Sequence, residues 1–166
     1  MTTQAGGAGS SYLTKLSDLN ELARKSTRKK LAVAVAHDEH CLEAICAVDR
    51  MGLVEAILVG NEAKIKDIAG KLSLDVSGMK IIHEEADAAA VKIAVKMVRN
   101  GDADILMKGN VPTAVFLRGV LDKENGLRKG DVLSHFALFE LPTYHKLLGL
   151  TDAAMIPAPD FKTKVA

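Results

Sequence analysis

The sequence predicts an α/β fold: three layers, α/β/α, built on a mostly parallel sheet with helices on both faces. Two observations carry this reading. Short runs of Ala, Val, Ile and Leu alternate along the chain with helix-patterned segments. Helical segments of about 10–15 residues between such runs are the signature of βαβ units. The runs themselves, such as LAVAVA at 31–36 and EAILV at 55–59, are apolar almost throughout. Strands buried on both faces lack the alternation of half-exposed ones.

Residues 1–11 are rich in Gly, Ser, Thr and Ala and read as a tail. In 12–30 the leucines Leu13, Leu16, Leu19 and Leu22 recur every third residue. That spacing predicts an amphipathic helix, closed by the basic run 25–30, whose cations suit a helix C-terminus. The first strand is placed at 31–36. A helix follows over 38–51, with Asp38 near its N-cap and Gly52 at its end. Strand 55–59 leads to helix 62–71, which Asn61 can cap. Strand 79–83 leads to helix 84–100, where Val91, Ala94, Val95 and Val98 share a side and Asn100-Gly101 marks the stop. Strand 103–107 and helix 112–121 complete the alternation.

The pattern changes after Gly130. A longer strand is expected at 132–141, a turn at 142–144 and a strand at 146–151, antiparallel because the connection is short. Residues 160–166 read as the first turn of a further helix. The expected organisation is a tail and helix at 1–30, a first α/β/α subdomain at 31–141 and the start of a second at 142–166.

Composition narrows the function. Apolar residues make up 48% of the 166-residue chain, enough for a sizeable core. The net charge of +1, with 4% aromatic residues and no Trp, gives no reason to expect nucleic acid or an anionic membrane as partner. The cysteines Cys41 and Cys46 are separated by about 140° around a helix, so two reduced, buried thiols are expected and not a disulfide or metal pair. An apolar signal core and a run of about 18 apolar residues are both absent, which makes the cytoplasm the expected compartment.

Ligands of open α/β sheets sit beyond the carboxyl ends of the strands. The candidates there are His37-Asp38, Gly60-Asn61, Lys108-Gly109-Asn110 and Thr151-Asp152. MKGNVPTAVFLR, 107–118, is the most informative. A strand ends in Lys and Gly, and a helix begins with Pro near its first position. Lys108, Gly109, Thr113 and the free amides of the first turn can form an anion site. Arg118 joins them only if it faces the crevice. The same spacing also suits a plain strand-to-helix turn with a solvated lysine. It is not a Walker loop.

Gly126-Leu127-Arg128-Lys129-Gly130 puts two cations between glycines, either a phosphate-covering loop or an ordinary polar one. Ser134-His135 lies early in a strand, where neighbours point to opposite faces, so the pair cannot act together as nucleophile and base. His37 and His40 could share a side of a helix start, but a metal needs at least one further ligand. Asp152 is either a site carboxylate or a turn residue.

At this point the motifs become recognisable. ILMKGNVPTAVFLRGVL, GLRKGDVLSHFALFEL and LGLTDAAM resemble the N-terminal half of the phosphate acetyltransferase/phosphate butyryltransferase family, with the butyryltransferases nearer. AVAVAHDEHCLEAI and EAILVG fit the family's opening strands. The resemblance runs from about residue 30 to 160.

It implies an architecture like that of isocitrate and isopropylmalate dehydrogenases: two α/β/α subdomains with a cleft between them, as a homodimer. It implies an acyl group, butyryl or acetyl, moved between coenzyme A and inorganic phosphate without metal or redox cofactor. Carried over by position, Arg118 holds phosphate or the CoA diphosphate, and Lys108, Gly109 and Thr113 belong to the same turn. Arg128 matches the arginine of the loop before the serine-bearing strand. Ser134 and Asp152 line the cleft. The family's catalytic Ser-Arg pair and Asp belong to a second half, so no catalytic residue is assigned here and turnover is expected only of a full-length protein. One departure is local: Ile156-Pro157-Ala158-Pro159 stands where the family usually continues with Asn and then Pro.

Two other readings compete. A non-catalytic domain of this fold could bind CoA or an acyl phosphate, or serve oligomerisation. A metal- and NAD-dependent β-decarboxylating dehydrogenase would need clustered Asp ligands, which the sequence does not offer.

Overall fold

A computed structural model describes residues 13–130, 132–152, 155–156, 158–161 and 163. In chain order the elements are α1 (Leu16–Arg24), β1 (Lys29–Ala34), α2 (Glu39–Arg50), β2 (Val54–Gly60), α3 (Glu62–Lys71), β3 (Lys80–His83), α4 (Asp87–Asn100), β4 (Ile105–Lys108), α5 (Thr113–Val120), β5 (Phe136–Phe139) and β6 (Leu148–Thr151). They divide into two units: Ser26–Asp131, and Met1–Lys25 together with Val132–Ala166.

The first unit is the α/β body. Its four strands form one parallel sheet in the order β3-β2-β1-β4. Strands β1 and β2 lie in the middle and are nearly all buried, which is why their sequences are continuously apolar. Successive residues of a strand face opposite sides, and β1 shows it. Leu31 and Val33 pack with Leu42 and Ile45 of α2 and Ile65 of α3. Ala32 and Ala34 pack with Ala90, Val91, Ala94 and Val95 of α4, and Val115 and Phe116 of α5 close over that cluster. Alanines on this face let α4 come close to the sheet. At Gly119 an added Cβ would fall 2.6 Å from Val91 Cγ1, so α4 and α5 meet where α5 has no side chain.

Helix starts follow local capping chemistry. Asp38 accepts the Cys41 amide at 3.0 Å and Asn61 accepts the Lys64 amide at 3.0 Å, as expected for short polar caps. Several boundaries differ from the sequence expectation, each for a physical reason. The first helix ends at Arg24, with Lys25 of the basic run as its C-cap, short of the Lys30 to which the sequence reading extended the segment. Lys29 and Lys30 instead open β1, where the Asp104 carboxylate takes the Lys30 amide at 2.9 Å and Lys29 Nζ at 3.2 Å. Arg28 pairs with Asp49. Helix α4 starts at Asp87 because the Glu84 amide continues the pairing of β3 with β2, donating to the Gly60 carbonyl at 2.9 Å.

The second unit contains α1 and the antiparallel pair β5-β6. The strand expected over 132–141 shrinks to Phe136–Phe139, the four residues that β6 pairs with. None of α1, β5 or β6 contains a buried residue. Of the helical turn expected over 160–166, Phe161 and Thr163 are helical, Asp160 is not and instead accepts the Thr163 amide at 2.7 Å, and 162 and 164–166 lie outside the described residues. So does the tail at 1–11. Among the described residues, no helix is long and apolar enough to cross a membrane.

Both cysteines are free and buried. Burial raises the Cys41 thiol from its ordinary 9.0 to about 11; the Asp38 carboxylate adds to the rise and the Lys108 ammonium opposes it. The unfolded thiol ionises first, so between pH 9.0 and about 11 the unfolded state holds fewer protons and stability falls as pH rises. Cys46 is raised by burial in the same sense. Urea midpoints across that interval should therefore fall less steeply for Cys41→Ala than for the wild type. Equal slopes would show that Cys41 ionises as readily in the folded chain as in the unfolded one.

Candidate anion-binding site

The carboxyl ends of β1, β2 and β4 open on one edge of the sheet. Beyond β1 the chain turns at Val35, which is fully buried and has φ of 59°. A β-branched residue in the left-handed region costs about 1–3 kcal/mol and persists only where its surroundings fix it. Three backbone bonds do so. The Gly109 amide donates to the Ala34 carbonyl at 2.8 Å, the Asn110 amide to the Val35 carbonyl at 3.1 Å, and the Ala36 amide to the Val59 carbonyl at 3.0 Å. Gly109 makes this possible. A Cβ there would stand 2.9 Å from the Ala34 carbonyl oxygen and closer still to that of Val35. The close approach that Gly109 permits is thus to the β1 backbone.

This contact fixes the start of α5. Lys108 ends β4, and its ammonium folds back to donate to the carbonyls of Gly109 at 3.1 Å and Val111 at 2.9 Å. Pro112 occupies the N-cap position and brings no side-chain acceptor. The amides of Thr113 and Ala114 have no carbonyl one turn earlier to accept them. Thr113 is exposed and adds a hydroxyl. A held ammonium, two helix-start amides and a hydroxyl all belong to residues 108–114, at the helix end where the dipole is positive and anions are favoured.

The rest of the edge is polar. His37 Nδ1 accepts the Asn61 amide at 3.3 Å, so a neutral ring carries its proton on Nε2, which lies 3.9 Å from Asp87 Oδ1. His83 Nδ1 accepts the Glu62 amide at 3.2 Å. His40 does not join His37: its side chain is 92% exposed, beside Glu43. Among the described residues, no group of three or more His, Cys, Asp and Glu is arranged to hold a metal ion.

Arg118 and Arg128 are placed elsewhere on the same unit. Arg118 lines a cavity of about 350 Å³ with Lys92 and Lys96 of α4 and Asp122 and Asn125 beyond α5. Arg128 donates from Nε to the Gly130 carbonyl at 2.9 Å and lines an open depression with Lys123 and Lys129. Lys92 and Lys96 are not among the candidates the sequence offers. The available signal was two lysines four apart without an acidic partner one turn away.

In the second unit, Ser134 is exposed and precedes β5. Neither Ser134 nor His135 lies within a strand, contrary to the sequence expectation. Asp152 has φ of 60° and closes the end of the β5-β6 ladder. Its amide donates to the His135 carbonyl at 2.7 Å and its carboxylate accepts the His135 amide at 3.0 Å. That carboxylate therefore has a turn-holding task whatever else it does.

A parallel sheet with helices packed on both faces gives the fold class, α/β. Among solved structures, a branched-chain phosphotransacylase from Enterococcus faecalis matches with a TM-score of 0.65 at 26% identity, over 81% of this chain and 46% of that one. A phosphate butyryltransferase from Clostridium beijerinckii is 50% identical over 137 residues, 82% of this chain and 45% of the relative. A phosphate acetyltransferase from Thermotoga maritima is 34% identical over 150 residues, 90% of this chain and 50% of the relative. The chain belongs to the family described as phosphate acetyl/butaryl transferase, which it matches over residues 16–92 and 86–166. It spans about half the length of the curated relatives it matches.

The Gly109 contact is directly testable. Gly109→Ala drives a Cβ into two backbone carbonyls and should cost about 1–3 kcal/mol, the usual penalty of overpacking. Gly78→Ala meets nothing within 4 Å and should leave the urea midpoint nearly unchanged. Equal midpoints for the two variants would show that β1 and the turn before α5 do not need this approach.

Proposed function

We propose that this chain serves acyl transfer between coenzyme A and inorganic phosphate, with a butyryl or acetyl group as cargo. The observation that carries the reading is the 50% identity over 137 residues to a phosphate butyryltransferase, which includes the Lys108–Thr113 turn. The turn's chemistry supports it. In the reaction a phosphate oxygen attacks the thioester carbonyl carbon. The carbonyl oxygen gains negative charge in the tetrahedral state, and its collapse breaks the C–S bond. CoA leaves as a thiolate that takes up a proton, and an acyl phosphate remains. Every stage is anionic, so fixed cations and helix-start amides are what the reaction needs.

In this reading Lys108, with the amides and hydroxyl at Thr113, holds phosphate. Arg118 holds phosphate or the CoA diphosphate, and Arg128, Ser134 and Asp152 bind phosphate or CoA. Gly109 supports the site by letting the turn sit against β1. The chemistry calls for no metal or redox cofactor. The finer fold assignment, the two-subdomain arrangement of isocitrate and isopropylmalate dehydrogenases in a cytoplasmic homodimer, belongs to the same proposal.

The test follows free thiol release from butyryl-CoA and phosphate. A chain extended to the relatives' length should release thiol, and the 166-residue chain should release far less. Arg118→Ala in the extended chain should raise the KM for CoA or phosphate by about tenfold or more, equivalent to roughly 1.4 kcal/mol. Unchanged kinetics would remove Arg118 from the site. No thiol release from either chain would favour a CoA- or acyl-phosphate-binding module.

A further inference from the structure

Two histidines from different strands hold the start of α3. His37 follows β1 and His83 ends β3. His37 Nδ1 accepts the Asn61 amide at 3.3 Å, and His83 Nδ1 accepts the Glu62 amide at 3.2 Å. The first amides of a helix have no intrahelical acceptor and are usually met by a short polar side chain or by water. The Asn61 carboxamide serves Lys64 in that way, at 3.0 Å, while the amides of Asn61 and Glu62 go to the two imidazoles. The fit at His37 is close: a Cβ at Gly60 would fall 2.8 Å from Nδ1. The His37 side chain is largely buried and that of His83 is half-exposed.

An imidazole nitrogen accepts a hydrogen bond only while it carries no proton. In the cation both ring nitrogens donate, and Nδ1–H would face a backbone N–H. Imidazole changes charge between about pH 5 and 8, a range in which the Asn61 carboxamide is inert. Carboxylates wait on the far side of each ring. Asp87 Oδ1 of α4 lies 3.9 Å from His37 Nε2, and Glu85 Oε1 lies 4.0 Å from His83 Nε2. Glu62 also acts on His83 and is itself paired with Lys66 at 2.6 Å. Asp38, next to His37 in the chain, accepts the Cys41 amide, and the Lys108 ammonium at the end of β4 is taken up by the carbonyls of Gly109 and Val111. The carboxylates favour a protonated ring, and the positive end of the α3 dipole opposes it. Each ring therefore has a neutral arrangement bonded to α3 and a cationic one drawn to a carboxylate.

We propose that His37 and His83 form a proton-sensitive latch, which ties the start of α3 to the sheet at about pH 7.5 and releases it near pH 5. Release reaches the Val35 turn, because Ala36, the neighbour of His37, donates its amide to the Val59 carbonyl, one residue before Gly60. The latch does not depend on the acyl-transfer reading.

Amide hydrogen exchange followed by NMR at about pH 7.5 and about pH 5 tests it. After correction for intrinsic exchange rates, the protection of Asn61 and Glu62 should fall about fivefold at the lower pH, as the loss of one hydrogen bond each requires. His37→Asn and His83→Asn each offer a carboxamide oxygen as an acceptor that does not titrate. In the double variant the protection of both amides should be the same at the two pH values. Circular dichroism verifies its fold; if it fails, the single variants replace it, and each should remove the pH response of the amide its own ring accepts. Protection of both amides unchanged by pH in the wild type, or a loss at the lower pH that persists once the rings are replaced, overturns the proposal.

Discussion

The candidate site depends on the contact between the end of β1 and the turn before α5. Val35 is forced into a left-handed conformation while buried, and Gly109 lies against its carbonyl without a side chain. Neither feature is favourable alone. Together they extend the pairing of β1 with β4 past the strand ends, through Gly109 to Ala34 and Asn110 to Val35. That extension sets where Lys108 folds back and where α5 begins. Strain of this kind is tolerated at ligand sites because the surrounding structure over-determines it. Here the surroundings are the two buried central strands and the helices packed on both their faces.

Much of the α/β body was legible in the sequence. Strands β1 and β2 announce themselves because burial on both faces demands continuously apolar residues. Asp38 and Asn61 mark their helix starts because their side chains accept amides that the helix leaves unpaired. Boundaries failed where a backbone bond to a distant residue won over local pattern. Glu84 stays outside α4 because Gly60 takes its amide, and Lys29 joins β1 because Val54 stands opposite it. The run 132–141 yields a shorter strand than its pattern predicts for a related reason. An apolar sequence proposes a strand, but only residues with a partner become one, and β6 reaches four of them.

The site was legible in part. The Lys108–Thr113 turn was found because Lys, Gly and Pro occupy a strand-to-helix junction. Its internal support was not, since no local pattern reveals that Val35 takes a positive φ or that Gly109 faces a carbonyl. The sequence pattern makes Arg118 a candidate companion of Lys108, and the structure puts it with Lys92 and Lys96. Sequence distance along one helix could not show which neighbouring helix its side chain meets. Spacing alone fits Asp152 to either a site or a turn; its bonds with His135 establish the turn role.

The most direct test of the strand-end account is an amide NMR titration of the protein with inorganic phosphate. Phosphate bound at the start of α5 should move the resonances of Thr113 and Ala114 first and most, with smaller shifts at Gly109 and Val35. Saturable shifts confined to other parts of the chain, with Thr113 and Ala114 unmoved, would contradict it.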